Sequence, residues 1–436
     1  MGWDFGTDPA FQKELDWIDG FVREKVEPVD LVVSHPLDMA SPLRNALIKP
    51  LQAEVKARGL WAFHLGRELG GPGLGQLQLA LMNESLGRSR AAPVVFGTQA
   101  PDSGNAEVLA HYGTLEQKRR YLEPLLANEI VSCFAMTEPQ GGSDPKVFTT
   151  TAVLDGSEWV LNGEKWFATN AVFASFFITL AVTDPDAADP YKRMSTFILP
   201  AGTPGIRFIR NMHVVNEPGR GSHGYIAYDN VRIPADHLLG PRGAAFEVAQ
   251  VRLGGGRIHH AMRTLGQCKL AFDMMCERAL SRVTQGSRLA DKQMVQDKIA
   301  ESWLQLEQFR LFLLQTAWKI DKFNDYRKVR KDIAAVKALM PRVLHDIAAN
   351  ALQIHGSLGL TNEVPFVDQI ITAFRMGIAD GPTEVHRITL AKQVLRDYSP
   401  ASGPFPTRHA ISRRAEARER FAELLAAGDD DLLAAI

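Results

Sequence analysis

Short β-type runs between residues 150 and 235, set between two long stretches of helical periodicity, constrain the fold of this chain more than any other feature. The runs are TTAVL, WVLNG, FFITLAV, STFILP, IRFI and YIAYDNVRI. Turn signals punctuate them at Asp155-Gly156, Asn162-Gly163, Asp184-Pro185 and Pro204-Gly205. Before them, Phe11, Leu15, Ile18, Phe21 and Val22 recur at helical spacing. A Pro-rich connection, Pro28 to Pro42, leads to an amphipathic helix over residues 43–58, despite Pro50, with Gly59 as its stop. Helical patterns resume at 76–88 and 105–112. Thr114, with Gln117 three residues later, opens another helix as a capping box. From Gly243 to about Leu395 long helical patterns return, and residues 289–323 read as helical throughout. The expected fold is α+β. An N-terminal α-helical domain occupies 1–130 and a β domain 131–242. A C-terminal helical bundle follows at 243–400, and a charged helical tail, ending in acidic residues, at 401–436. Short connections favour close packing of these blocks.

The 436 residues suit two or three domains, and the 45% apolar content supports large cores. A net charge of -1 leaves no electrostatic footprint for nucleic acid and no basic helix for a membrane surface. Cys133, Cys268 and Cys276 lack metal-ligand spacing and read as buried thiols in a reducing compartment. The N-terminus carries acids and no apolar core, so a signal peptide is not expected, and its pattern disfavours myristoylation. No apolar run is long enough to span a bilayer, so a cytoplasmic protein is expected. Gly66 to Gly75 is Gly-rich but lacks a preceding strand and a Lys-Ser/Thr ending, so it is not read as a P-loop.

Three stretches carry chemistry. In Cys133-Phe-Ala-Met-Thr-Glu-Pro-Gln-Gly-Gly-Ser-Asp144, a strand-like run ends at Thr137 and a Gly-rich turn follows. Amides on such a turn can donate to carbonyl or phosphate oxygens, although tight Gly/Pro turns are also common without a ligand. In Lys165-Trp-Phe-Ala-Thr-Asn170, an aromatic beside a hydroxyl can pack on a flat ring and bond its edge, and can equally be core. In Arg375-Met-Gly-Ile-Ala-Asp-Gly-Pro-Thr-Glu-Val-His-Arg387, one carboxylate, Asp380, ends an apolar run. Gly381 permits close backbone approach, and Pro382 suits the start of a helix. On local sequence alone Asp380 also reads as an N-cap. Partial desolvation there is expected to raise its pKa and strengthen it as a base.

Taken together and in this order, the three stretches resemble the acyl-CoA dehydrogenase family: a TEPxxGSD turn, an NGxKxWxTN hairpin and an acid-Gly turn near the C-terminus. The likeness covers residues 1–400. Ala379-Asp-Gly-Pro-Thr-Glu-Val-His386, Ala100-Pro-Asp-Ser-Gly-Asn105 and Leu122-Glu-Pro-Leu-Leu126 place it nearest the branch of family members ten and eleven. The resemblance implies a barrel-like β domain, a four-helix bundle, and FAD lying between them. Phe134, Met136, Thr137, Gly142, Ser143, Phe167 and Thr169 would line the flavin. Phe167 replaces the family's tryptophan, which keeps the aromatic face and loses the indole donor. Arg282, Thr284 and Gln293 match positions that hold the FAD diphosphate from a neighbouring subunit, with Gln285 departing from the family's phenylalanine. Gln353, Gly356 and Ser357 match the loop at the adenosine end, and Glu384 a further FAD contact. A homodimer or homotetramer is therefore implied. Ser143, Gly256, Arg257 and Gly381 fall at substrate positions, Arg257 near the thioester and pantetheine.

Asp380 then takes the place of the family's catalytic base, which is usually a glutamate. It would remove the α-proton of an acyl-CoA while hydride passes to the flavin, with the base residue's own N–H as a donor to the thioester oxygen. Other branches carry the base at the position of Gly256, which has no side chain to serve. Fatty-acid β-oxidation, with an electron-transfer flavoprotein as acceptor, is the implied setting. Two rivals are carried forward. One is loss of phosphate from a 4-phosphoacyl-CoA in hydroxy-acid catabolism; the kinase domain that accompanies it in larger relatives has no counterpart here, so phosphorylation would need a separate protein. The other is a non-catalytic or DNA-associated flavoprotein, against which the charge balance and the retained carboxylate argue. The glycines Gly254 to Gly256 read either as a loop or as removal of side chains from an acyl pocket. His259 and His260 receive no role, and His386 a structural one.

Overall fold

The computed structural model describes residues 5–215 and 222–426. Pro9–Phe21 (α1), Pro42–Ala57 (α2), Gln76–Leu86 (α3) and Asp102–Tyr112 (α4) form the N-terminal helices. Local chemistry starts them. Asp8 accepts from the amides of Ala10 and Phe11, and Ser41 from that of Arg44, each with a proline at the first helical position. The capping box of Thr114 and Gln117 closes in both directions, at 3.2 and 3.0 Å.

The middle of the chain is a curled seven-stranded sheet. Its strands are Ser132–Ala135 (β1), Thr151–Asp155 (β2), Glu158–Thr169 (β3), Phe176–Val182 (β4), Met194–Pro200 (β5), Ile206–Met212 (β6) and His223–Pro234 (β7). The order is β1-β4-β2-β3-β7-β6, with β5 on β4; β1 and β4 run parallel. β4 is apolar on both sides because it separates two cores. Phe176, Ile178 and Leu180 pack with Leu109, Leu122 and Val248, whereas Phe177 and Ala181 pack with Trp159, Ile226 and Ile233. That alternation is the period of a strand with both faces covered.

The dipeptide Asn162-Gly163 proves not to be a turn. It lies inside β3, where the register with β7 shifts between Leu161 and Gly163. Gly163 has φ +141°, and a Cβ there would lie 2.6 Å from the Thr150 Cα, so only glycine fits this bulge. A second shift, between Lys165 and Ala168, becomes important at the site.

The C-terminal helices are Ala245–Ser281 (α5), Gln293–Phe323 (α6), Arg330–His355 (α7), Phe366–Ile378 (α8) and Thr383–Leu395 (α9). A hairpin of Val283–Thr284 (β8) and Ser287–Arg288 (β9) joins α5 to α6, so the helix expected from 289 begins at Gln293. The glycines Gly254 to Gly256 form no loop: α5 runs straight through them. Ile258, Met262 and Leu265 of α5 share one core with Ile18, Ile48, Val55 and Met82 of the N-terminal helices and with Phe309, Leu344 and Ile347. Their i, i+4, i+7 spacing fixes which stripe of α5 is inward, and therefore which stripe is left for Gly256, Arg257 and His260.

Among the described residues, 389–426 belong to a separate compact unit that contains the exposed helix Ala410–Arg420 (α10). The acidic end expected for the tail, residues 427–436, lies outside the described residues. Among the described residues no helix is long and apolar enough to cross a membrane, and no cluster of metal-ligating side chains occurs. Cys133 and Cys268 are buried and Cys276 half-buried, all as free thiols.

One crossing holds α5 in place. At Gly87, just past α3, a Cβ would lie 2.1 Å from the carbonyl oxygen of Arg263; at Gly266 one would lie 2.5 Å from that of Glu84. Two backbones meet here with nothing between them. Gly266→Ala is expected to force them apart at a cost of about 1–3 kcal/mol. A lower denaturant midpoint with unchanged slope in urea unfolding is the measurement that checks this.

Candidate active site

The turn after α8 carries Asp380 in the left-handed region, at φ +55°, a conformation that side chains seldom adopt. Several groups hold it there. Arg257 Nε donates to the Asp380 carbonyl at 3.1 Å, and His386 Nε2 lies 3.3 Å from the same oxygen. Lys337, buried on α7, donates its ammonium to the carbonyl of Met376 at the end of α8, where a helix leaves carbonyls unpaired. Gly381 has φ +103°, and a Cβ there would come within 3.0 Å of His386 Nε2.

The Asp380 side chain does not cap α9. Its Oδ2 lies 3.3 Å from His260 Nε2 on α5, and a Cβ on Gly256 would stand 3.3 Å from the same oxygen. The two positions at which the family is read to carry its base therefore face each other, and this chain fills only one. The Asp380 N–H has no acceptor among the described residues, which suits a donor to a substrate oxygen.

The electrostatics differ from the expected raised pKa. Burial does push the Asp380 carboxyl upward. The hydrogen bond from His260 and the positive charges of the surrounding groups, Arg252 and Lys337 among them, outweigh it and hold the carboxylate below its ordinary range. Burial lowers His260 despite Asp380, so at neutral pH the pair is an ionised carboxylate and a neutral imidazole. Burial also lowers Lys337, to about 8, and His386, to about 4.

The two sheet motifs meet physically. Glu138, in the Thr137-Glu138-Pro139 turn, and Lys165 of β3 form an ion pair at 2.7 Å with side-chain exposures of 1% and 0%. Lys165 also donates to the Met136 carbonyl at 2.9 Å, and the Trp166 amide to that of Thr137 at 3.0 Å. Glu138 and Gly141 close a tight turn, after which the amides of exposed Gly142 and Ser143 donate to nothing among the described residues. One residue past the Trp166–Thr137 bond, the second β3 bulge sets Phe167 at φ +49°, with half of the residue exposed. Thr169 Oγ1 lies 3.1 Å from His223 Nδ1. An uncovered aromatic on strained backbone, in a motif joined to the turn that bears the unpartnered amides, fits a flat ring with oxygens at its edge. Phe134 on β1 is buried beneath the Arg252 guanidinium, 4.4 Å from its ring, so Arg252 links this surface to the helix stripe that faces Asp380.

The other expected residues stand apart. Arg282 lies 22 residues beyond His260 along α5, about 33 Å away at 1.5 Å per residue. Arg282, Thr284, Gln293, Gln353, Gly356, Ser357 and Glu384 are all exposed. The charge of Arg278 acts on His355, which places the turn of Gln353 to Ser357 at the Arg282 end of the bundle. Arg257, expected near the thioester, spends its Nε on the Asp380 backbone. A cleft of about 770 Å³ lined by Asp184, Asp189, Lys192, Arg242 and Glu247 contains none of these residues.

Sequence reasoning missed His260, Lys337, Arg252 and the partnership of Glu138 with Lys165. A signal existed for His260: it follows Gly256 by four residues and Arg257 by three, the spacing of one helix face.

Comparison with known proteins agrees with this architecture. Models of the acyl-CoA dehydrogenase N-terminal, middle and C-terminal domains match residues 14–129, 133–231 and 243–395. Acyl-CoA dehydrogenase family member 11 of Gallus gallus is 39% identical over 398 residues, covering 89% of this chain and 51% of that protein. The chain thus spans about half the length of that relative. FadE2 of Mycobacterium tuberculosis is 37% identical over 396 residues, covering 90% of this chain and 93% of that protein. Among solved structures, one from Mycobacterium abscessus superimposes with a TM-score of 0.83 at 36% identity, over 91% of this chain and 100% of that one. Butyryl-CoA dehydrogenase from Megasphaera elsdenii gives 0.76 at 26%, over 90% and 100%. With matched domain models along most of its length and a full-length relative above one-third identity, the chain belongs to the acyl-CoA dehydrogenase family.

Proposed function

We propose that this protein is an FAD-dependent acyl-CoA dehydrogenase in which Asp380 takes the α-proton of the thioester. The observation that carries the reading is the Asp380 turn: an ionised carboxylate against bare Gly256, with its own N–H unpaired beside it. FAD, when bound, supplies the acceptor for the β-hydrogen, so the product is a trans-2-enoyl-CoA. Phe134, Met136, Thr137, Gly142, Ser143, Phe167 and Thr169 would hold the flavin ring. Arg282, Thr284, Gln293, Gln353, Gly356, Ser357 and Glu384 would meet FAD bound to a second copy of the chain. Their exposure supports this, as do the exposed apolar side chains Trp303, Phe374 and Ile378 on α6 and α8. An electron-transfer flavoprotein is the proposed acceptor.

A second reading concerns the acyl chain. Gly255 adjoins Gly256, and a Cβ on it would lie 3.6 Å from Glu107 Oε2 on α4. Burial pushes the Glu107 carboxyl up to about 8 against the charge of Arg252, so it is protonated at neutral pH and can donate. His259 and its neighbour His64 lie on the same side. Such a wall favours an oxygen-bearing acyl chain over a plain alkyl one, which keeps 4-substituted substrates in view. The test is anaerobic mixing of FAD-loaded protein with acyl-CoAs of graded length, 4-hydroxyacyl-CoAs and their phosphorylated forms, following flavin absorbance. Bleaching supports dehydrogenation. Product without bleaching, from phosphorylated substrates alone, favours elimination. Failure to bind FAD overturns both.

A further inference from the structure

We propose that His260 is a positioning residue for the base: its Nε2–H holds Asp380 Oδ2, which leaves Oδ1 as the oxygen that receives the proton. The inference rests on Asp380 being that base. Aspartate is a short arm, and its direction is set by the backbone and by rotation of the side chain. The backbone is pinned at the Asp380 carbonyl by Arg257 and His386. What remains free is rotation of the carboxylate. His260 Nε2 stands 3.3 Å from Oδ2, within reach to restrain it. Gly256, four residues earlier on the same face, leaves room for that oxygen, since a Cβ would reach within 3.3 Å of it.

The tautomer follows from the chemistry. A neutral imidazole can donate to a carboxylate from Nε2 only if the proton sits there. In the step this arrangement serves, the α-C–H bond breaks, an O–H bond forms on Oδ1, and the electron pair passes into the thioester enolate. The imidazole keeps its proton throughout. The charged and titratable groups facing the pair are Arg252, Arg257, His259 and Arg263 on α5, Lys337 on α7 and His386 on α9. All of them stay in place when His260 is replaced. Loss of the donor should therefore act on the direction and basicity of Asp380.

The experiment compares wild type, His260→Ala, His260→Gln and Asp380→Asn as FAD-loaded full chains. It uses a 3-thiaacyl-CoA, a thioester whose β-carbon is replaced by sulfur so that no β-hydride can leave, follows exchange of its α-proton in D2O against pH, and measures its dissociation constant separately. His260→Ala should slow exchange by about 10- to 100-fold with the dissociation constant unchanged. The acid limb of the profile should move to higher pH, because the carboxylate loses a donor. His260→Gln, which keeps an N–H at similar reach, should restore most of the rate. Wild-type exchange and an unshifted limb in His260→Ala, with Asp380→Asn inert, would overturn this inference alone. So would a glutamine variant no better than alanine. Undiminished exchange in Asp380→Asn would instead overturn the assignment of the base. A titration of the ring signals of His260 in the unliganded protein, altered by Asp380→Asn, gives a readout that does not depend on turnover.

Discussion

Asp380→Asn is expected to abolish bleaching of the flavin by acyl-CoA, with a fall of about 10²–10⁴ in the rate of reduction. Asparagine keeps the size of the side chain and an oxygen that can still accept from His260 Nε2, so the turn should survive. What disappears is a group that can take a proton. Arg257, His386 and Lys337 hold the backbone of this turn through carbonyl oxygens that the substitution does not touch. The variant should therefore fold, load FAD and bind acyl-CoA with little change, placing the loss in the chemical step. Stopped-flow reduction at saturating substrate separates the two. A loss confined to the dissociation constant, with the limiting rate intact, would remove Asp380 from the role of base.

The largest expected effect on stability falls on a pair with no proposed part in the chemistry. Lys165→Met should destabilise the protein by about 3–5 kcal/mol, because it strands the Glu138 carboxylate in a dry site. Other donors remain on Glu138, notably the amides of Thr149 at 2.6 Å and Thr150 at 3.0 Å, and they set the lower end of that range. Glu138→Gln combined with Lys165→Met removes the stranded charge and should recover part of the loss, which denaturant titration of the single and double variants would show. The pH dependence follows from the same pair. Burial opposes the Glu138 charge, but Lys165 together with the hydrogen bonds from Thr149 and Thr150 outweighs it and brings the carboxyl down to about 2 from 4.5. A carboxylate lowered on folding stabilises the protein above its unfolded pKa and loses that contribution as pH falls through the folded value. The carboxylate's contribution should fade between about pH 4.5 and 2, while burial lowers Lys165 to about 8, so the lysine's charge offsets part of that contribution at neutral pH. Lys165→Met should move acid unfolding to higher pH. Because Lys165 also holds the Met136 carbonyl, the variant should loosen the turn of Gly142 and Ser143 and weaken FAD binding.

Much of the architecture could be read directly from residue patterns. The short strands stood out because β-branched and aromatic runs ended at turn dipeptides, and helix starts at Asp8, Ser41 and Thr114 because caps are local chemistry. Asn162-Gly163 failed as a turn signal because the same dipeptide can fill a bulge, and only the register of β3 on β7 distinguishes the two. Gly254 to Gly256 failed as a loop for a related reason. Glycine weakens a helix by a modest amount, and the packing of Ile258, Met262 and Leu265 just beyond it is worth more.

By itself the sequence determined the order of helical and β blocks, the turn that carries Asp380, and the two Gly- and aromatic-bearing motifs on the sheet. Each rests on interactions between residues a few positions apart. The tertiary structure decided what surrounds those motifs. Arg257 meets the Asp380 backbone across 123 residues, Lys337 meets Met376 across 39, and Lys165 meets Glu138 across 27. His260, which meets the Asp380 side chain from another helix, acts with Arg252 and Lys337 to set the charge state of that carboxylate, and together they reverse the effect that burial alone would have on it. A pKa reflects the sum of all charges and dipoles within a few ångströms, and in a folded chain most of these come from residues distant in sequence.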